Sequence, residues 1–473
     1  MPISTHTKIL ATLGPQSNTE DKIAELIDAG VDAFRLNFSH GTHEQHKKVY
    51  DNIRKVAGEK KVHVAVVADL QGPKLRIGDF EKNKVTLKKG QKFTLDMKKD
   101  LGDEKRVCLP HKEIFEALKV GDKLLVNDGN IILKVLKVTK SSAVTEVEVG
   151  GAISSHKGVN LPNSSLNISP LTDKDLKDLD FALKIGVDCV CLSFVQRLSD
   201  VKEARKIIGK KAWIISKLEK PQALDELDQI IKASDMIMVA RGDLGVECPV
   251  VTVPLLQKRI VAKCRQYAKP VIVATQMLES MISAPIPTRA EVSDVANAVY
   301  DGADVVMLSA ETATGEYPVE TVKTMRGVIE TIENDARYFE IVNRFKSEHS
   351  CKDESHAITH AASEAVKVMD KVTVITTFSV SGATTLSMAQ ERPVLPIIAI
   401  TPNDEIANRL SLVWGVRTSV DKKVFEGFDK VSVVARRVAM DYNLVKKGEF
   451  IVLTAGYPFG KVGLTNVLHI VKA

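Results

Sequence analysis

The spacing of hydrophobic residues alternates between two patterns along the first part of the chain. Short apolar runs rich in β-branched residues begin at Lys8, Ala33 and Val62, and each has the length of a buried strand. Between these runs, apolar residues follow a helical period over residues 19–29 and 42–56. The pattern predicts strand, helix, strand, helix, strand.

The pattern changes after Asp69 and stays different to about Gly158. Apolar and polar residues now alternate, as in residues 84–88, which is typical of strands with one buried face. Residues 124–133 fit a hairpin around Asp128-Gly129, because this dipeptide favours tight hairpin turns. We therefore predict an all-β insert over residues 73–158.

The alternation of strands and helices then resumes. A helix is predicted over residues 173–185, and Thr288 with Glu291 forms a capping box that opens a helix running to Tyr300. Five further strands are predicted over residues 188–194, 212–218, 236–240, 271–275 and 304–308. Three strands and five make eight, so the fold class is α/β with a (β/α)8 TIM barrel over residues 1–72 and 159–344.

A second alternating region is predicted over residues 345–473. It contains a helix over residues 355–369 and strands near Val372, Ile397, Val416, Phe450 and Val467, which predict an open five-stranded α/β domain. No dinucleotide-binding or P-loop motif follows these strands. Its polar loop (Ser379, Ser381, Gly382, Thr384) fits either an anion site at a helix N-terminus or ordinary helix capping.

Composition narrows the class of protein. The 473 residues exceed the roughly 250 of one barrel, and 44% hydrophobic with 27% charged residues is the composition of a globular protein. The net charge of +6 is spread along the chain, so we expect no nucleic-acid or membrane partner. The six cysteines lack disulfide or CxxC spacing, which favours a cytoplasmic location.

Polar residues stand at the C-terminal ends of the predicted barrel strands. Any one of them alone is as easily a loop cap or a surface charge, but C-terminal strand ends of a barrel face one shared mouth. We therefore expect seven strands to contribute polar groups to one rim: Arg35 to His40, Asp69, Ser193, Lys217 with Glu219, Arg241 to Asp243, Thr275 with Gln276, and Ser309 to Glu311.

The chemistry of this rim suggests phosphoryl transfer. Glu219 and Asp243 are hard oxygen ligands suited to Mg2+, with Mn2+ as the alternative. Arg35 and Arg76 can clamp an anion, and Lys217 is a compact charge suited to a moving phosphoryl group. One cation at about 4 Å from a developing negative charge is worth roughly 4 kcal/mol at an effective dielectric of about 20.

These residues closely resemble those of the pyruvate kinase family, and the resemblance spans the whole chain. It rests on Thr12 to Pro15, Arg35 to Gly41, the segments around Lys217 and Asp243, Thr275 to Met281, Asp294 to Val299, and Gly463 to Asn466. The resemblance implies a barrel, a mobile β-domain lid and a C-terminal regulatory domain in a homotetramer. It also implies the glycolytic transfer of a phosphoryl group from phosphoenolpyruvate to ADP, giving pyruvate and ATP.

The resemblance assigns roles to individual positions. Arg35 and Arg76 correspond to phosphate ligands, Glu219 and Asp243 to magnesium ligands, and Lys217 to the cation that stabilises the transferring group. The backbone amides of Gly242 and Asp243, with Thr275, would hold the substrate carboxylate. Either Thr275 or a water chain near Ser309 and Glu311 would protonate the enolate, and Asn37, His40, Asp128 and Lys157 would lie near the nucleotide or its lid.

The chain departs from the family at its potassium site. Many members bind potassium through positions matching Asn37, Ser39, Asp69 and Leu70, with a glutamate where this chain has Lys74. The segment from Leu70 and Gln71 to Lys74 resembles the potassium-independent branch, in which an ammonium supplies the missing positive charge. We therefore expect dependence on Mg2+ without dependence on K+.

One further site and two other functions also follow from the sequence. The polar loop and Lys461 correspond to an effector site for a sugar phosphate or a nucleotide, although Val380 and Ala383 replace charged residues of relatives. Another enol-phosphate transferase would use the same rim. A non-catalytic regulatory paralogue is disfavoured because Arg35, Lys217, Glu219, Asp243 and Thr275 are all present.

Overall fold

The first part of the chain forms three strands and two helices in the predicted order. The computed structural model describes residues 5–162, 168–344, 353–422, 427–459 and 463–473. Thr19 and Thr42 cap the two helices by accepting the backbone N–H groups of Lys22 and Gln45. The elements are β1 (Lys8–Thr12), α1 (Glu20–Ala29), β2 (Ala33–Asn37), α2 (His43–Lys60) and β3 (Ala65–Asp69).

The insert contains a six-stranded and a two-stranded sheet. Its predicted hairpin is confirmed: Asn130 N–H donates to the Asn127 carbonyl (3.1 Å), with Asp128 and Gly129 left-handed between them. The all-β expectation was wrong in one detail, because α3 is helical. The elements are β4 (Lys84–Leu87), β5 (Lys92–Asp96), β6 (Arg106–Cys108), α3 (Lys112–Ala117), β7 (Lys123–Val126), β8 (Ile131–Val138), β9 (Ser142–Val149), β10 (Gly151–Ser154) and β11 (Val159–Asn160).

The chain then supplies the five remaining barrel strands. The capping box of Thr288 and Glu291 is present at the start of α9. The elements are α4 (Asp173–Ile185), β12 (Cys189–Leu192), α5 (Leu198–Ile208), β13 (Trp213–Leu218), α6 (Leu227–Ala233), β14 (Met236–Ala240), α7 (Arg241–Glu247), α8 (Val253–Gln266), β15 (Val271–Ala274), α9 (Arg289–Asp301), β16 (Val305–Leu308), α10 (Ala310–Ala313), α11 (Pro318–Glu333) and α12 (Tyr338–Arg344).

The eight strands close into a parallel barrel, which confirms the predicted TIM-barrel fold. Their order is β1, β16, β15, β14, β13, β12, β3, β2. The barrel interior is packed rather than open, because alternate residues such as Leu10, Val67, Cys191, Ile215 and Met238 point inward and are fully buried. Strands β3 and β12 pair directly, so the insert leaves the barrel between two neighbouring strands.

The C-terminal domain is the predicted open five-stranded α/β sheet. The strand order is β19, β18, β17, β20, β21, and β21 is antiparallel to its neighbour. One buried apolar cluster joins this sheet to the barrel interior, since it includes both Trp213 and Ile397. The elements are α13 (Glu354–Val368), β17 (Val372–Phe378), α14 (Ala383–Gln390), β18 (Ile397–Thr401), α15 (Asp404–Leu410), β19 (Val416–Val420), α16 (Phe428–Asp441), β20 (Phe450–Ala455) and β21 (Val467–Lys472).

The contacts of the C-terminal domain lie at the N-terminal end of the barrel. Lys8 Nζ donates to the Val416 carbonyl (2.8 Å), and Ser411 Oγ donates to the Asp32 carbonyl (3.0 Å). The opposite end of the barrel, with the C-terminal strand ends, therefore stays clear of this domain. Within the described ranges, no helix is long and apolar enough to cross a membrane.

Candidate active site

Lys217 lies at the centre of a charged cluster on the barrel rim. It is the fifth residue of β13, and its Nζ donates to Ser193 Oγ at 2.8 Å. The same ammonium lies 2.9 Å from Glu219 Oε1 and 3.5 Å from Asp69 Oδ1. Burial opposes its charge, but the two carboxylates outweigh burial and raise the Lys217 pKa above its usual range. Lys217 is therefore a fixed positive charge.

Arg35 joins the same cluster from β2. Its guanidinium contacts Asp69 Oδ2 at 2.6 and 2.7 Å and donates to Thr12 Oγ1 at 3.1 Å. Burial alone would raise the pKa of Asp69, yet Lys217 and Arg35 together hold this pKa below its usual range. Asp69 thus positions both cations. Thr12 also contacts Arg35, and it was not among the predicted rim residues.

Glu219 has the surroundings of a metal ligand. Its side chain is fully buried, its Oε2 accepts the Phe194 backbone N–H at 2.7 Å, and its Oε1 lies 2.9 Å from the Lys217 ammonium. Burial raises the pKa of Glu219 to about 7 despite the adjacent Lys217. Burial and the nearby Asp243 charge both disfavour the ionised form of Glu219, so a divalent cation beside the two carboxylates would add the positive charge that Lys217 alone does not supply.

Asp243 supplies the second carboxylate near this position. It lies in the first turn of α7, and its charge adds to those of Asp69 and Glu219 in raising the Lys217 pKa. Across the described residues, no cluster of three or more His, Cys, Asp or Glu side chains could hold a metal. A site with two protein carboxylates is nevertheless ordinary for Mg2+, which keeps several water or substrate oxygens.

Thr275 is held in an uncommon backbone conformation at the end of β15. Its φ is 71° and that of Gln276 is 55°, both in the left-handed region. Arg241 stabilises this turn, because its Nη2 donates to the Thr275 carbonyl at 2.7 Å. The same guanidinium donates to the two Asp294 carboxylate oxygens at 2.6 and 2.7 Å. Thr275 Oγ1 accepts the Gly242 N–H at 2.8 Å, so the hydroxyl and the start of α7 are adjacent.

Glu311 closes the rim on the β16 side. Its Oε2 accepts the Ser309 backbone N–H at 2.7 Å, and burial raises the pKa of its carboxyl. The side chain is nearly inaccessible, and its Oε1 also accepts the Leu278 backbone N–H at 3.4 Å. Ser309 and Glu311 are therefore part of the rim as predicted.

A narrow cleft runs between the rim and the insert. Asp243 and Phe194 line it on the barrel side, and Lys74 and Asp128 line it on the side of the insert. The Lys74 stem lies against Gly158, where an added Cβ would be 3.9 Å from its Cε. Three predicted residues thus meet at one cleft.

Other predicted residues make contacts that do not involve Lys217. Arg76 Nη1 donates to the His156 carbonyl at 2.8 Å, and the Lys157 carbonyl accepts the Ile77 N–H, which places both in the backbone pairing of the insert. His40 is exposed, and its carbonyl contacts His46 Nε2. The structure does not bring these side chains to the cluster around Lys217.

The potassium-type positions remain partly assembled. Asn37 Oδ1 accepts the Ser39 N–H at 3.1 Å, and Asp69 Oδ1 lies 3.5 Å from the Lys217 ammonium. The Leu70 carbonyl accepts the Ser193 hydroxyl at 2.8 Å. Two of the four ligand positions, Asp69 and Leu70, are therefore already hydrogen-bonded to side chains of the rim.

A buried ion pair beside the rim was not foreseen. Lys220 Nζ donates to Glu247 Oε1 at 2.5 Å, and Asn160 Nδ2 donates to the same oxygen at 2.7 Å. This contact ties β11 of the insert to the end of α7. The sequence offered one signal for this ion pair: Lys220 directly follows Glu219, a predicted rim residue.

Known proteins share both the sequence and the fold. A family model described as "Pyruvate kinase, barrel domain" matches residues 4–322, and one described as "Pyruvate kinase, alpha/beta domain" matches residues 356–471. The chain is 45% identical over 467 residues to a pyruvate kinase of Agrobacterium vitis, covering 98% of this chain and 96% of that protein.

Two further relatives agree. A pyruvate kinase of Methylorubrum extorquens is 46% identical over 470 residues, covering 99% of this chain and 98% of that protein. The crystal structure of a pyruvate kinase from Cryptosporidium parvum has a TM-score of 0.93 at 34% identity, covering 99% of this chain and 96% of that one. The chain therefore belongs to the pyruvate kinase family of phosphotransferases.

Proposed function

We propose that the protein transfers a phosphoryl group from phosphoenolpyruvate to ADP and releases pyruvate and ATP in glycolysis in the cytoplasm. The observation that carries this proposal is the position of Lys217, a permanently charged ammonium held between Ser193, Asp69 and Glu219 on the rim. Phosphoryl transfer needs positioning and charge stabilisation more than covalent chemistry, and this cluster provides both.

Mg2+ is the proposed metal, with Mn2+ as the alternative. Glu219 and Asp243 would hold it, because the Asp243 charge is near enough to raise the pKa of Glu219 and Asp243 lines the adjoining cleft. When bound, the metal supplies neutralisation of charge on the phosphoryl and enolate oxygens.

The substrate would lie between the two cations and the start of α7. Arg35 and Arg76 would bind the phosphate, and the Gly242 and Asp243 amides with Thr275 would bind the carboxylate. The two groups are adjacent, since the Gly242 N–H donates to Thr275 Oγ1 at 2.8 Å, and the carboxylate would replace Thr275 Oγ1 as the acceptor of this N–H. Thr275, or water near Ser309 and Glu311, would protonate the enolate carbon.

The nucleotide would enter from the side of the insert. Asn37 and His40 at the end of β2, with Asp128 and Lys157 from the insert, are the residues proposed to surround it. Asp128 supports this placement because it lines the cleft opposite Asp243.

Potassium is proposed to be dispensable. The Leu70 carbonyl already accepts a hydrogen bond from Ser193, and the Lys74 ammonium stands in the cleft wall. Asn37, Ser39 and Asp69 would then be the remains of a monovalent-cation site.

Assembly and regulation complete the proposal. A homotetramer is supported by apolar side chains that are well exposed in the single chain, namely Val250, Val251, Leu255 and Ile286. A sugar-phosphate or nucleotide effector would bind at the loop of Ser379 and Gly382, where the hydroxyl accepts the glycine N–H at 3.0 Å. Lys461, the proposed partner of this loop, lies outside the described residues.

The test is ADP-dependent pyruvate formation with Mg2+, measured in a tetramethylammonium buffer and in potassium buffer. We expect equal rates for the native protein, and potassium dependence for Lys74→Glu, which restores the residue common in the family. A rise of more than several-fold with potassium in the native protein would keep the kinase assignment and remove the role of Lys74. Failure with ADP in both buffers would favour another acceptor or the non-catalytic paralogue.

A further inference from the structure

The ion pair of Lys220 and Glu247 is almost entirely withdrawn from solvent. The Glu247 side chain is inaccessible and that of Lys220 is 9% exposed, with 2.5 Å between Lys220 Nζ and Glu247 Oε1. A buried pair of this kind adds little net stability over apolar side chains of the same size, because taking both charges out of water offsets their attraction. What the pair does supply is a fixed distance between the two segments that carry it.

Both segments also carry a proposed metal ligand. Lys220 directly follows Glu219 in the sequence. Glu247 is the last residue of α7, and Asp243 lies four residues before it, so their side chains lie one helical turn apart on the same face. The Asp243 charge raises the pKa of Glu219, which shows that the two carboxylates are near each other. The ion pair therefore joins the segments of both carboxylates.

The barrel sheet alone does not fix these carboxylates. The pairing of β13 with β14 ends where Leu218 lies beside Val239. Glu219 and Asp243 both follow these last paired residues. The Phe194 N–H holds one oxygen of Glu219 at 2.7 Å, whereas Asp243 takes its position from α7, in whose first turn it lies. A contact at the other end of α7 is therefore able to move Asp243 relative to Glu219.

The insert reaches the same pair through Asn160. Its Nδ2 donates to Glu247 Oε1 at 2.7 Å, and its strand β11 pairs with β7 of the six-stranded sheet, where Asn160 lies beside Leu125. Asn160, Lys220 and Asp243 line one cleft. A change in the position of the insert therefore acts on the carboxylate that holds the end of α7.

We propose that Lys220 and Glu247 are positioning residues, which hold the two proposed metal ligands at the separation that a divalent cation needs. Asn160 couples this separation to the position of the insert. Because this inference rests on the proposed Mg2+ site, it concerns how tightly the cation binds and not which residues contact it. Groups that orient metal ligands typically account for about 10–100-fold in affinity. By linkage, a bound cation should in turn hold the insert in place.

The first experiment measures the Kd of Mn2+ alone, from the electron paramagnetic resonance signal of free Mn2+, with the full-length protein and without substrate. The double variant Lys220→Met with Glu247→Gln removes both charges, so it leaves no lone charge buried and no change in net charge. We expect its Kd to rise about tenfold or more. Lys206→Met, which alters an exposed lysine of α5, should keep the native Kd.

A single variant separates positioning from simple electrostatics. Lys220→Met removes a positive charge beside the cation site, and charge alone would then tighten Mn2+ binding. Loss of positioning predicts weaker binding instead. Tighter binding by Lys220→Met, or a native Kd in the double variant, would overturn the proposal.

The second experiment tests the link to the insert. Mn2+ should slow proteolysis within residues 73–158 of the native protein, because it favours the state in which Asn160 contacts Glu247. Asn160→Ala should lose most of this slowing, whereas Glu113→Gln, which alters an exposed residue of α3, should keep it. Equal slowing in the native protein and in Asn160→Ala would contradict the link.

Glu219→Gln distinguishes this inference from the metal site on which it rests. It should abolish Mn2+ binding, because it removes a proposed ligand. If Glu219→Gln binds Mn2+ as the native protein does, the cation lies elsewhere, and both the site and its positioning are wrong. If Glu219→Gln loses binding while the double variant keeps it, the site stands and the positioning alone is overturned.

Discussion

Lys217 is the side chain of the rim on which most of the proposed chemistry depends. It touches the serine of one strand, the carboxylate of a second and the carboxylate that follows its own strand. Because both carboxylates are buried, the ammonium is held in one place before any substrate arrives. Such preorganised charge is what stabilises a transition state at little cost in reorganisation.

Replacing Lys217 by Met should lower kcat by about a thousandfold, since the lost charge is worth roughly 4 kcal/mol. Steady-state pyruvate formation measures the effect. Lys206→Met is the control, because Lys206 is exposed on α5. A loss below about tenfold in a folded Lys217→Met protein would contradict the assigned role.

Glu219→Gln should abolish the stabilisation of the protein by Mg2+. A ligand at about one hundred times its Kd adds roughly 2.7 kcal/mol to the free energy of unfolding. We therefore expect Mg2+ to raise the Tm of the native protein, and to leave that of Glu219→Gln unchanged. Glu113→Gln serves as the control, because Glu113 is exposed on α3. A Mg2+ response retained in Glu219→Gln would show that the metal binds elsewhere.

Sequence reasoning found the rim residues because strand ends in a barrel converge by construction. Lys217, Glu219 and Asp69 come together as expected. Sequence reasoning did not find that Arg241, paired with Asp294, hydrogen-bonds to the Thr275 carbonyl, because these three residues come from separate segments of the chain. Long-range side-chain pairing of this kind leaves no periodic trace in a sequence.

Elements were predicted well where a cap and a long apolar face coincide. The helix over residues 173–185 begins and ends as predicted, because Thr172 caps it and Gly186 ends it in the left-handed conformation. The short helix α3 was missed, since six residues are too few to show a helical period. The presence of caps, rather than helix propensity, therefore made the helix over residues 173–185 easier to predict than α3.

The contact between β11 and α7 predicts an order of stability among variants. Glu247→Gln leaves the ammonium of Lys220 buried without its counter-charge, which should cost about 3–5 kcal/mol. Asn160→Ala removes one hydrogen bond and should cost about 1 kcal/mol. Urea unfolding measures both.

The same contact also predicts a change in the rate of proteolysis, which is measured separately from the free energy of unfolding. Because β11 leads back from the insert to the barrel, Asn160→Ala should also speed proteolysis within residues 73–158 while kcat changes little. Glu113→Gln again provides the control. Equal stability of Glu247→Gln and the native protein would show that the pair does not stabilise this connection.

At the scale of the whole molecule, the exposed apolar residues of α8 and the turn before it predict self-association. Val251 is 83% exposed and Leu255 is 69% exposed in the single chain. We expect sedimentation at the mass of four 51.8 kDa chains, and a smaller mass for Val251→Asp. Val120→Asp, in the insert and 67% exposed, should leave the mass unchanged. A monomeric native protein would contradict the assembly.

The domain organisation was predictable because each part has its own hydrophobic period. The way the C-terminal domain docks was not, since its contacts are single polar groups such as Lys8 to the Val416 carbonyl. The boundaries at residues 72, 158 and 344 stay predictions.

The direct pairing of β3 with β12 has a consequence for synthesis on the ribosome. Strand β3 ends at Asp69 and β12 begins at Cys189, so its neighbour emerges about 120 residues later. At roughly 5–20 residues per second, β3 waits about 6–24 s with one edge unpaired. The insert has all its strands by Asn160 and can fold during this delay, whereas β1 stays open until β16 emerges. The nascent barrel is therefore most exposed to aggregation and to chaperones while its insert is already complete.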